Sequence, residues 1–209
     1  MSYEIVDLET WPRAAQFRLF KTYDRPHYAT TVRLDVTQVM NKHKADGISP
    51  YRASLYAIGA GVHAVPELLM RFQGDEIRQY NTAALSATVP TPEGSFNYCY
   101  LPFNADFASF DRETARILKE TAMRTDFGAN TGERDDLIYL SCMPWLDYTS
   151  LNNALPGPHD CIPRVSWGKI VETGGRSSMA MTLEVNHALV DGAQVGAYFS
   201  AVQSAFDNL

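Results

Sequence analysis

Residues Met181-Thr-Leu-Glu-Val-Asn186 alternate apolar and polar side chains, the period of a half-buried strand. Asp191-Gly192 then opens a helical pattern that runs to Phe206, leaving only a short turn between the two. A strand that feeds directly into an amphipathic helix needs a sheet on one side and an apolar surface on the other. This stretch therefore commits the chain to a layered fold containing both element types. It also fixes two polar residues, His187 where the strand runs out and Asp191 at the helix N-cap. Backbone held from both sides is a firm platform for a catalytic side chain. A neutral imidazole can take a proton near pH 7, and a carboxylate four residues on can brace the turn. Taken alone, the same spacing also fits an ordinary helix cap beside a hydrogen-bonded histidine.

The rest of the chain supplies the layers. Thr10-Trp-Pro12 predicts a helix start with Pro12 near the first position, running to about Asp24 and ended by Pro26. Tyr28 to Val36 alternates as a strand with two unlike faces. Thr37 starts a short helix that is expected to fade into a surface loop over the polar run from Asn41 to Gly47. Ser49-Pro50 opens a longer one, Tyr51 to Ala64, closed by Pro66. Strand patterns cover Glu76–Val89, Ser95–Leu101, Leu137–Trp145, Val165–Glu172 and Ser178–Asn186, with a turn at Pro90–Gly94 and a hairpin at Thr173-Gly-Gly175. Asp106 to Arg124 reads as helix, and Gly128–Gly132 as a loop. No repeat or linker divides the sequence, so the expectation is one α+β domain over 1–209, a mixed or mainly antiparallel sheet with helices packed on it.

Composition narrows the function. Hydrophobic residues make up 45% and charged ones 20%, enough for a full core. A net charge of −6 argues against a general nucleic-acid binder but leaves room for a phosphorylated cofactor, which needs only a few local cations. Cys99, Cys142 and Cys161 are widely spaced, which indicates neither a disulfide framework nor a zinc cluster. His27, His43, His63 and His159 show no metal-ligand spacing, and His187 with Asp191 lacks a third ligand, so no metal is expected. The acidic N-terminus carries no secretory pattern, and no apolar run approaches a membrane span. The expectation is a cytoplasmic protein without membrane or nucleic-acid partners.

Four blocks in order then carry a family likeness. They are Trp11-Pro-Arg13 followed by Phe17 and Val32-Arg-Leu-Asp-Val-Thr37, then Leu140-Ser141-Cys-Met-Pro144-Trp145, then Ser166-Trp-Gly-Lys169, and finally Asn186-His187-Ala-Leu-Val-Asp191-Gly192. Over nearly its whole length the chain resembles the chloramphenicol acetyltransferase family, whose fold and motif also recur in dihydrolipoyl acyltransferases. The resemblance implies an acetyl-CoA-dependent O-acetyltransferase with chloramphenicol as the first candidate acceptor. It makes His187 the general base, Ser141 the donor to the oxyanion, and the Asp191–Arg13 pair the support of the catalytic loop. It places Leu19, Phe20, Phe96, Leu151 and Ser166 in the acceptor pocket and Lys169 on the CoA phosphates. It implies a homotrimer with each active site at a subunit interface. Departures fall on Asn186, where the family usually has His, on Leu19 and Leu151, where it usually has aromatic rings, and on Ser166 for the common Thr. They bear on the acceptor more than on the transfer. Alternatives are a same-fold acyltransferase with another acceptor, of the dihydrolipoyl type or for another small molecule, or a non-catalytic trimeric binding protein.

Overall fold

The computed structural model describes residues 2–209. Two sheets form. A small antiparallel one joins β1 (Tyr3–Ile5), β4 (Glu76–Tyr80) and β3 (Met70–Gln73) in that order. The large seven-stranded sheet runs β2 (His27–Asp35), β10 (Arg176–Asn186), β8 (Arg164–Trp167), β7 (Leu137–Cys142), β5 (Ala84–Pro90), β6 (Phe96–Leu101), with β9 (Val171–Thr173) also on β10. Its β8–β7 and β7–β5 pairs are parallel and the others antiparallel, so the sheet is mixed.

The alternation of β10 does what its period predicts. Met179, Met181, Leu183 and Val185 enter the core, while Thr182, Glu184 and Asn186 point to the opposite face. The helices are α1 (Ala14–Phe20), α2 (Thr37–Asp46), α3 (Pro50–His63), α4 (Phe107–Ala122) and α5 (Gly192–Asp207). Helix α3 packs on α5, α5 on β2, and α4 on β5 and β6. Among the described residues no helix is long and apolar enough to cross a membrane.

Several boundaries differ from the sequence expectation. Helix α1 begins at Ala14, with Arg13 at its N-cap, and ends at Phe20. Arg13 is thereby spent on a tertiary contact instead of a helical turn. The polar run after Asn41 is helical to Asp46, because Gly47 caps α2 in the left-handed conformation (φ 72°) and its N–H donates to the His43 carbonyl. The stretch expected as one strand over Glu76–Val89 is two, broken at Asn81–Ala83 and split between the two sheets. Strand β7 stops at Cys142, and β8 is separate from β9: the Leu146 N–H turns back to the Met143 carbonyl at 3.0 Å, and the Lys169 N–H donates to the Leu146 carbonyl at 2.7 Å instead of to a strand.

Candidate active site

The turn after β10 is locked from several directions. The His187 N–H donates to the Pro26 carbonyl at 2.8 Å, which ties the strand end to the start of β2. The Arg13 guanidinium, only 8% exposed, donates Nε to the Leu189 carbonyl at 3.2 Å and Nη2 to the His187 carbonyl at 3.4 Å. Its Nη1 forms an ion pair with Asp191 Oδ2. Asp191 Oδ1 meanwhile accepts from the Ala193 N–H at 3.0 Å, and Gln194 Oε1 accepts from the Asp191 N–H at 3.1 Å, closing a capping box on α5. One cation from α1 therefore spans the whole turn.

The imidazole of His187 lies flat against Phe20, with ring centroids 4.0 Å apart and planes 6° from parallel, and Tyr28 tilts against it at 4.8 Å. Burial, and secondarily the Asp191 charge, push the Tyr28 hydroxyl up to about 12. It stays neutral and donates to the Val190 carbonyl at 3.4 Å. The His187 Nδ1 atom is buried and has no partner. Asn186, in place of a second histidine, braces the turn from below. Its Nδ2 donates to the carbonyls of Pro158 and Asp160 at 3.0 and 3.1 Å, and its Oδ1 accepts from the Ala188 N–H at 3.0 Å.

Ser141 sits near the end of β7, on the parallel side of the sheet, opposite Ser166 of β8. It lines a cleft of about 980 Å³ that Phe96 and the exposed Trp145 flank. A cleft of this size is typical of small-molecule sites. His187 does not line it, and neither do Leu19, Phe20, Leu151, Ser166 or Lys169. Leu19 is exposed on α1, Leu151 is half-buried, and Ser166 is buried with its hydroxyl 3.4 Å from Asn153 Oδ1. Lys169 is exposed, and its N–H donates to the Leu146 carbonyl at 2.7 Å, which fixes it beside the turn that carries Trp145. No group of three or more metal-ligating side chains occurs among the described residues.

Sequence reasoning brought out His187, Asp191, Arg13 and Ser141 but passed over several neighbours. Tyr28 appeared only as a strand residue, and Ser86, Tyr139 and Arg164 of the cleft carried no motif. The available signal was faint: small or polar residues at alternate positions of strands that are otherwise apolar.

Residues 1–203 match the family model described as chloramphenicol acetyltransferase. The chloramphenicol acetyltransferase of Bacillus pumilus is 24% identical, covering 91% of this chain and 87% of that protein. Chloramphenicol acetyltransferase 2 of Escherichia coli is also 24% identical and covers 100% and 99%. A solved chloramphenicol acetyltransferase superposes with a TM-score of 0.92 at 24% identity, covering 98% of this chain and 100% of that one.

Proposed function

The chain belongs to the chloramphenicol acetyltransferase family and is an acyltransferase, and from that premise we propose that it moves the acetyl group of acetyl-CoA directly onto a hydroxyl of a small molecule, chloramphenicol being the first acceptor to test. His187 takes the hydroxyl proton as the acceptor oxygen attacks the thioester carbonyl. The new C–O bond forms, the carbonyl electron pair moves to oxygen, and the Ser141 hydroxyl donates to the resulting oxyanion. Collapse re-forms the carbonyl and breaks the C–S bond. The imidazolium returns its proton to the departing CoA sulfur, and no acyl-enzyme forms.

The observation that carries this reading is the confinement of His187, held flat on Phe20 at 4.0 Å within a turn that one buried guanidinium grips at three points. Such preorganisation is what a general base needs, because a misplaced ring loses much of its roughly 10²–10⁴-fold contribution. That His187 is not among the residues lining the Ser141 cleft supports a site completed by a neighbouring copy, in the homotrimer that the family resemblance implies. In that assembly Leu19, Phe20, Phe96, Leu151 and Ser166 line the acceptor pocket, and Lys169 meets the CoA phosphates.

The test is thiol release from acetyl-CoA with chloramphenicol present, for the wild type and two variants. His187→Ala is expected to lose about 10²–10⁴ in kcat. Retention of more than a tenth of turnover would remove His187 as the base. Ser141→Ala is expected to lower kcat by about 10²–10³ with little change in KM, because its bond strengthens only as the oxyanion forms. An effect confined to KM would make Ser141 a binding residue instead.

A further inference from the structure

The cleft that holds Ser141 is lined mostly by apolar groups, but a row of polar side chains crosses its floor, the sheet side. The register puts Tyr100, Ser86, Tyr139, Arg164 and Glu184 side by side across five strands, in one row on one face of the large sheet. Two residues along β7, and so on the same face, comes Ser141, itself in a row with Ser166, Thr182 and Thr31. Ser86, Tyr139, Ser141 and Arg164 all line the cleft.

Their hydrogen bonds are only partly used. Among the described residues two buried side-chain polar atoms lack a partner: one is His187 Nδ1, and the other is Ser86 Oγ in this floor, on a residue 1% exposed. An orphaned hydroxyl is a cost that nothing within the chain offsets. The Tyr139 hydroxyl accepts from Asn130 Nδ2 at 3.0 Å, which leaves its own proton to donate. Arg164, 9% exposed, stacks 5.2 Å over the Tyr139 ring, donates to the Ile162 carbonyl at 3.1 Å and pairs with Asp160. Those two bonds leave further N–H groups of its five.

Charge decides the class of ligand. Arg164 is already neutralised by Asp160, and the next position in the row is the buried carboxylate of Glu184, which accepts from the Asn153 N–H at 2.7 Å and from Asn153 Nδ2 at 2.8 Å. An anionic acceptor finds no spare cation there. A neutral molecule with several hydroxyls finds unspent donors and acceptors on the floor, with the rings of Phe96 and Trp145 at the sides for the C–H faces of a saturated ring. We infer that the acceptor is a neutral polyhydroxylated compound of glycoside type, read by Ser86, Tyr139 and Arg164, with Ser141 two residues beyond Tyr139 at the acetyl carbonyl. The inference rests on the acetyl-transfer reading above. Chloramphenicol, with its nitrophenyl ring, dichloromethyl group and few hydroxyls, would desolvate these groups while returning few hydrogen bonds, a mismatch that sites built for hydroxyls penalise heavily.

The experiment offers acetyl-CoA with methyl α-glucopyranoside, methyl β-galactopyranoside, maltose or chloramphenicol to the wild type and to Tyr139→Phe, which keeps the ring. Thiol release reports transfer. Intrinsic fluorescence reports binding without transfer, Trp145 being 71% exposed at the cleft. The expected result is a higher kcat/KM for at least one glycoside than for chloramphenicol. In Tyr139→Phe the glycoside-to-chloramphenicol ratio should fall by about tenfold, the loss expected for one hydrogen bond. If chloramphenicol leads every glycoside by more than about tenfold, the acceptor class is wrong and acetyl transfer stands. If no acceptor releases thiol but a glycoside shifts the fluorescence of the wild type and less so that of Tyr139→Phe, the acceptor class stands and the transfer reading falls. If there is neither release nor a glycoside shift, both fall.

Discussion

Arg13 and Asp191 are unequal ends of one contact. Arg13 is buried and serves three acceptors, whereas the Asp191 side chain is 35% exposed and keeps Oδ1 on the Ala193 N–H whatever happens to the ion pair. Solvent screens the exposed half of the pair, so its charge alone is worth on the order of 1 kcal/mol. Arg13→Val also strands the Leu189 carbonyl, and a buried unpaired acceptor costs about 1–3 kcal/mol more. Asp191→Asn is therefore expected to cost less in thermal stability and in kcat/KM than Arg13→Val, and the double variant less than the sum. Strictly additive losses in that cycle would mean that the two residues act separately. His63 gives a pH signature. Its Nδ1 donates to the Gly59 carbonyl at 2.8 Å, and its Nε2 accepts from the Ala83 N–H at 3.3 Å, so the folded protein holds it neutral. Burial lowers its pKa below the ordinary 6.5, so it is the unfolded chain that binds the proton more readily. Its contribution is complete above about 6.5 and is lost as pH falls from there through the depressed value. Between about pH 7.5 and 5.5, Tm is expected to fall more for the wild type than for His63→Gln; equal slopes would refute this.

At the scale of elements, helix α3 lies so close to α5 that Gly61 has no room for a side chain. A methyl group there would sit 2.4 Å from Val202 Cγ2 and 3.0 Å from the Tyr198 ring. Valine cannot swing away cheaply, since it is stiff at χ1. Gly61→Ala gains roughly 0.5–1 kcal/mol of helix propensity but is expected to lose about 1–3 by overpacking, a net destabilisation. Gly196, inside α5, meets nothing within 4 Å. Gly196→Ala should accordingly stabilise by about 0.5–1 kcal/mol. Urea denaturation of the two variants distinguishes the effects, and the same sign for both would contradict this account of the packing. The consequence reaches the site, because α5 begins at the Asp191 cap that closes the His187 turn.

At the scale of the whole molecule, His187 is not among the residues that line the Ser141 cleft of its own chain. If one copy completes the site of another, two inactive proteins should rescue each other. His187→Ala and Ser141→Ala, unfolded together and refolded as a mixture, are expected to regain activity in roughly a quarter of the sites, since each half is then intact with even odds. Each variant alone remains inactive, and light scattering should report three chains per particle. No rescue from a mixture shown to contain hybrid particles would place both residues in one subunit's site.

The sequence by itself determined the elements with strong local signals. The alternation of Met181–Asn186 requires a strand, Asp191-Gly192 requires a helix start, and Thr173-Gly-Gly175 requires a tight hairpin, all of which the fold contains. Backbone and side-chain chemistry within a few residues settles such features. The exposed polar face of α2 carried no such signal, because its helicity depends on one apolar side packed on α3 and α5. Nor did the break at Asn81–Ala83, where one apolar stretch serves two sheets. The polar row across β6, β5, β7, β8 and β10 was likewise invisible, since its members lie up to 98 residues apart, from Ser86 to Glu184, and only strand register makes them neighbours. Local chemistry determined where His187 and Ser141 stand along the chain. Only tertiary packing, through the stacking of Phe20, the reach of Arg13 and the order of the strands, decided what surrounds them.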